Sequence, residues 1–161
     1  MDKNITIYET GYENDVSEVK SLFIEYAKSL NFDLCFQGFD EELTTLPGKY
    51  SPPEGIIYLA KLNDKIAGCI ALRKLEKGVC EMKRLYVRPE FRRNGIGKLL
   101  CDKLLEKARS IGYKKMRLDT ISHLMKDAVK LYKSYGFYEI PAYYKNPQEG
   151  VIYMELELMS S

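Results

Sequence analysis

The stretch EFRRNGIGKLL, Glu90 to Leu100, sets Gly95 and Gly97 between Arg92, Arg93 and Lys98, where an apolar run of helical spacing begins. The first amide N–H groups of a helix have no intrahelical partner, and the helix dipole adds partial positive charge at that end. Glycine lets an anion approach the backbone without meeting a Cβ and accepts positive φ. Residue type and spacing therefore describe an anion cradle. Charge agrees, because Lys83, Arg84, Arg88, Arg92, Arg93 and Lys98 stand against a single acid, Glu90, over residues 83–98. A tight strand-to-helix turn with solvated arginines would use the same residues, and spacing alone leaves both open.

Two phosphate-binding patterns fail. A G-x-x-x-x-G-K-[ST] loop would need glycine at position 92 and a hydroxyl at 99, where Arg92 and Leu99 stand; G-x-G-x-x-G would need glycine in place of Leu100. What remains is Arg92-x-x-Gly95-x-Gly97. With EMKRLYVRPEFRR ahead of it, this resembles the acetyl-CoA signature of the GNAT superfamily of N-acetyltransferases. The resemblance continues through GYKKMRLDT, DAVKLYKSYGF and PAYYKNPQEGVIYMELEL, in a layout similar to that of bacterial members acting on small molecules. It covers residues 56–158, while the first 50 agree only in their strand–helix–helix order.

The resemblance implies acetyl transfer from acetyl-CoA, as co-substrate, to the primary amine of a small molecule, with no metal. Residues 92–98 (Arg92, Arg93, Asn94, Gly95, Ile96, Gly97, Lys98) would carry the coenzyme's phosphates. The backbone of Leu85, Tyr86 and Val87 would bind the pantetheine arm, with the Leu85 amide on the acetyl carbonyl oxygen. Amines are mostly protonated at neutral pH, so a base is needed. Glu81, four residues before Leu85 and read as lying on the same strand face, matches a position where several members place that base; His123 is an alternative. Tyr132 matches the tyrosine that many members aim at the departing sulfur as general acid. Met125 departs from the pattern, since many relatives carry a cofactor-contacting asparagine there. Phe32, Phe36, Tyr50, Tyr143 and Tyr144 would wall the acceptor pocket, with Arg73 and Asp119 as charged contacts. Two other functions stay open: an acyl-CoA-binding regulatory module without turnover, and an acetyltransferase of protein or peptide amines.

The elements that must position these residues can be read from periodicity. The spacing predicts strands over NITIYET, IIYLAKL, KIAGCIALRKL, GVCEMKRLYV, KKMRLDT and VIYMELEL, with a turn at Asn63–Asp64. It predicts helices over residues 15–31, where Asp15 and Glu18 suggest a capping box, over GFDEELTTLPG, over 95–111 closed by Gly112, and over LMKDAVKLYKSYG. The implied fold is one α/β domain over residues 1–161, the GNAT fold, with a mixed central sheet of about seven strands flanked by about four helices.

Composition sets the outer bounds. Hydrophobic residues make up 45%, charged residues 30%, and net charge is +2. The basic stretch lies in one loop without interleaved aromatics, which argues against nucleic acid as a partner. No run is apolar enough to span a bilayer, and the N-terminus lacks a signal peptide's apolar core, so no membrane is expected. Cys35, Cys69, Cys80 and Cys101 lack C-x-x-C spacing and read as buried free thiols of a cytoplasmic protein. A homodimer is left open.

Overall fold

Apolar side chains fill both faces of the central strands, which is why IIYLAKL reads as a continuous run rather than an alternating one. In this computed structural model, which describes residues 4–10, 15–30 and 38–159, seven strands form one sheet in the order β1-β2-β3-β4-β5-β7-β6. They are β1 (Ile5–Glu9), β2 (Ile56–Leu62), β3 (Lys65–Glu76), β4 (Val79–Val87), β5 (Lys115–Ile121), β6 (Tyr138–Ile140) and β7 (Val151–Glu157). Ile56, Tyr58, Ala60 and Leu62 face one core, and Ile57 and Leu59 face a second on the opposite side.

Four helices cover those faces: α1 (Val16–Ser29), α2 (Phe39–Thr45), α3 (Ile96–Ile111) and α4 (Lys126–Tyr135). Leu100, Leu104 and Ala108 of α3 and Tyr132 of α4 pack on the first core; Val19, Leu22 and Phe23 of α1 and Phe39 of α2 pack on the second. The expected mixed sheet with four helices is present. Asn63 and Asp64, at φ 50° and 68°, form the expected β2–β3 turn. One expectation about these elements is corrected. Asp15 occupies the N-cap of α1 but makes no side-chain cap hydrogen bond, so no capping box forms there. The short β6, paired to β7 from Tyr138↔Glu155 to Ile140↔Tyr153, had no alternating signal to announce it.

Cys69, Cys80 and Cys101 are buried free thiols, and burial pushes Cys80 and Cys101 up to about 12, which leaves them unreactive at neutral pH. Cys35 lies outside the described residues.

Two features of β4 matter for function. Its parallel pairing with β5 covers only Val79↔Lys115, Cys80↔Met116 and Glu81↔Arg117, after which the strands part. Beyond the fork, the β4–β3 register slips between Cys69↔Tyr86 and Ala71↔Lys83, and Arg84 takes φ 60°. This is a β-bulge, which inserts an unpaired residue and re-aims the side chains beyond it. Period-two alternation therefore breaks at Arg84. Leu85 and Val87 pack on the same core as Cys80 and Met82, so the Leu85 side chain lies on the face opposite Glu81, not on the shared face expected from sequence.

Candidate active site

The fork between β4 and β5 opens a narrow cleft of about 30 Å³. Its walls are Lys83, Arg84 and Leu85 from β4, Leu118, Asp119 and Thr120 from β5, Tyr26 from α1, and Met125, Ala128 and Tyr132 at α4. Because the Leu85 and Val87 side chains are packed in the core, β4 offers the cleft its backbone edge. That edge has no β5 partner past Glu81, and such an edge can accept an extended ligand as if it were another strand. Tyr86 turns the other way: it is buried in the second core, and its hydroxyl donates to Glu25 at 3.3 Å.

Tyr132 is 6% exposed, its ring tilted against Phe137 at 5.7 Å. Burial holds its phenol well above the ordinary value, so it keeps its proton across the neutral range. Among the described residues its hydroxyl has no hydrogen-bond partner. Met125 sits at the N-cap of α4 and also faces the cleft, presenting a thioether where an amide was expected to contact the cofactor.

At the outer end of β4, Gly95 caps α3 at φ 77° and Arg93 stands at φ 66°. The first intrahelical bond runs from Leu99 N–H to the Gly95 carbonyl at 3.1 Å, and no side chain caps the end. The amides of Ile96, Gly97 and Lys98 therefore point outward without intrahelical partners. Gly97 lies in a helical turn, where glycine is costly, yet no protein atom lies within 4 Å of where its Cβ would be. Internal packing does not demand glycine here, whereas an anion drawn close to the backbone would.

The loop is braced from within. Arg92 Nε donates to the Val87 carbonyl at 2.9 Å, and Asn94 Nδ2 donates to that of Phe91 at 2.9 Å. The sequence overstated the charge around it. Arg84 is buried on Glu42, Arg88 is clamped by Glu25 at 2.9 Å, and Lys83 sits in the cleft. Arg92, Arg93 and Lys98 remain at the loop, with Lys98 paired to Asp102 at 3.0 Å.

A second polar cluster gathers where the strands fork. Glu81 is 2% exposed; Arg73 Nη1 donates to its Oε1 at 3.1 Å and Tyr143 donates to its Oε2 at 2.6 Å. Asp119 accepts from Tyr144 and from Asn146 Nδ2, the latter at 2.9 Å. Lys83 lies between the two carboxylates, at 4.0 Å from Glu81 and 3.9 Å from Asp119. Burial lowers the Lys83 pKa, and the two acids work against that shift. Arg73, Asp119, Tyr143 and Tyr144 are thus brought together as the sequence suggested. Lys83 and Asn146 were missed, although Lys83 is two residues from Glu81 and so shares its strand face.

Tyr50 and His123 do not line the cleft. Tyr50 is fully buried, donates to Glu42 at 2.8 Å, and borders a separate cavity of about 420 Å³ with Leu46, Pro47 and Pro52. His123 is exposed with its ring against Gly150, and it does not line the cleft. Phe32 and Phe36 lie outside the described residues. Among the described residues, no group of three His, Cys, Asp or Glu could hold a metal ion, and no helix is long and apolar enough to cross a membrane.

The model of the acetyltransferase (GNAT) family matches residues 20–137. The chain belongs to the GNAT acetyltransferase family. Among GNAT relatives, an uncharacterised N-acetyltransferase of Schizosaccharomyces pombe is 42% identical over 157 residues, 96% of either chain. One from Dictyostelium discoideum is 33% identical, over 89% of this chain and 94% of its own. The fold is shared with a GNAT acetyltransferase of Staphylococcus aureus at TM-score 0.79, with 23% identity and 97% and 100% of the two chains covered. A GNAT acetyltransferase of Elizabethkingia anophelis, solved with acetyl-CoA bound, aligns at TM-score 0.67 and 25% identity over 96% and 98%.

GNAT enzymes carry out acetyl transfer from acetyl-CoA, and the residues present fit that donor. An open approach to Gly97, free amides at the start of α3 and an unpaired β4 edge suit its phosphates and its extended arm. Gly97→Val is expected to fill that approach and weaken CoA binding by about tenfold or more, equivalent to about 1.4 kcal/mol. Arg93→Ala removes only an exposed charge, worth about 1 kcal/mol at most. Calorimetry giving equal, small effects for both variants would refute the cradle.

Proposed function

We propose that this GNAT acetyltransferase moves the acetyl group of acetyl-CoA to the primary amine of a small molecule by direct attack. Glu81 serves as the base and Tyr132 as the acid. Support comes from one cleft lined by Tyr132, the unpaired β4 edge and the Lys83–Asp119 pair, with Glu81, the last β4 residue paired to β5, 4.0 Å from Lys83. Acetyl-CoA supplies an activated thioester. Arg92 to Lys98 carry its phosphates, and Leu85 to Val87 align its arm through their backbone. The Leu85 amide stabilises the charge that develops on the carbonyl oxygen.

Glu81 receives the amine's proton. Glu81 is 2% exposed, so the proton reaches it through water or the Tyr143 hydroxyl, which can accept from the amine while donating to Oε2. As nitrogen bonds to the acetyl carbon and the C–S bond breaks, Tyr132 gives its proton to the thiolate. Tyr143, Tyr144, Asn146, Arg73 and Asp119 seat the acceptor. Three buried free thiols suit a cytoplasmic setting.

The test is thiol release from acetyl-CoA across a panel of small amines, amino acids and short peptides. Turnover with a small amine is expected. Turnover confined to peptides would move the acceptor class. Binding of acetyl-CoA without turnover on any amine would favour a regulatory module, the alternative that Met125 keeps in view.

A further inference from the structure

Arg84 carries the bulge, and its side chain is among the most enclosed polar groups in the protein. It is 3% exposed, and its Nε and Nη2 donate to Glu42 of α2 at 2.9 and 3.1 Å. Tyr26 and Phe39 lie over the guanidinium at 5.6 and 5.4 Å. Glu42, 6% exposed, also accepts from Tyr50 at 2.8 Å and pairs with Lys49 at 3.2 Å. Burial would raise the Glu42 carboxyl, but Arg84 and Lys49 outweigh it and hold it below the usual range, so the pair is ionised at neutral pH.

Isolated L-residues avoid φ near +60°, and Arg84 adopts it with no glycine to ease the turn. The same residue is tied at its carbonyl, which accepts from the Cys69 thiol on β3 at 3.3 Å. Across a trans peptide the C=O and the next N–H point in opposite directions. The Leu85 N–H therefore points away from the Cys69 thiol.

We propose that the buried Glu42–Arg84 pair is a positioning device, which holds the left-handed turn that presents the Leu85 amide to the acyl carbonyl. It rests on the assignment of that amide as the carbonyl's donor. The Glu42 carboxylate and the Arg84 guanidinium are spent on each other, and only the β4 backbone of Arg84 borders the proposed arm site. They act through the backbone between Arg84 and Leu85, from the side of the sheet that α1 and α2 cover.

The probe is acetyl-CoA labelled with ¹³C at its carbonyl, whose stretching frequency falls when a donor polarises it, measured by difference infrared spectroscopy without any acceptor. Removing one member of a buried ion pair strands the other, so both are neutralised together in Glu42→Gln/Arg84→Met, which keeps an acceptor for Tyr50. This variant is expected to bind CoA but to lose most of the wild-type carbonyl shift. Glu42→Gln/Arg84→Gly is expected to recover part of it, because glycine adopts positive φ unaided. It also keeps the question answerable if the methionine variant does not fold. A wild-type-sized shift in the folded methionine variant would overturn the proposal, as would equal losses with glycine and methionine. Absence of any shift in the wild-type protein would instead refute the Leu85 assignment itself.

Discussion

Tyr132→Phe is expected to leave acetyl-CoA affinity nearly intact while lowering turnover by about 10²- to 10⁴-fold, the usual cost of a lost proton donor. The substitution removes one hydroxyl and keeps the ring that packs against Phe137. Because that hydroxyl has no hydrogen-bond partner among the described residues, its loss strands no buried group, and thermal stability should hardly move. Burial keeps the phenol protonated throughout the neutral range, so the wild-type rate should show no loss attributable to this acid below pH 9. Initial rates and calorimetry on the same preparations decide the matter. Unchanged turnover would return Tyr132 to the role of a core aromatic.

Glu81→Gln should produce the second large effect, and pH separates its causes. A primary amine titrates near pH 10, so at neutral pH nearly all of the acceptor is charged and a base is most needed. Turnover should fall most there, by about 10²-fold or more, and partly recover as pH rises and free amine accumulates unaided. Tyr143→Phe should give a similar but smaller pH-dependent loss if its hydroxyl carries the proton to Oε2, and none if water does. Superimposable wild-type and Glu81→Gln pH–rate curves would exclude the base assignment. Slowing by the same factor at every pH would assign Glu81 to holding Arg73 and Tyr143 in place.

Regular elements with strong local signals were legible: the Asn63–Asp64 turn, α3 with its flanking glycines, and the order of the long strands. Family resemblance supplied the roles proposed for Glu81 and Tyr132, which periodicity alone would not. The misses share a cause, because side-chain direction depends on partners distant in sequence. Six neighbouring cations looked like one patch, yet Arg84 and Arg88 are neutralised by Glu42 and Glu25, which precede them by 42 and 63 residues. The bulge at Arg84 shifts Leu85 to the other face, and a pattern that assumes strict alternation has no place for it. Tyr50 was grouped with the pocket aromatics; it lies on the same side of the sheet as Glu81, but its ring packs edge-on against Phe23 and its hydroxyl is held by Glu42.

The parting of β4 from β5 has a consequence for how the chain behaves among other proteins. Unpaired strand edges usually lie at a sheet's rim, where they invite pairing with a stranger and, in time, aggregation. Here a third edge lies inside the sheet, with α1 and α4 as its walls. A passage of about 30 Å³ is too narrow for another polypeptide carrying side chains on alternate residues. That narrowness shelters an unpaired line of backbone from misassembly. Widening the passage, for example with Met125→Gly, is expected to weaken that protection and to show as faster aggregation in light scattering.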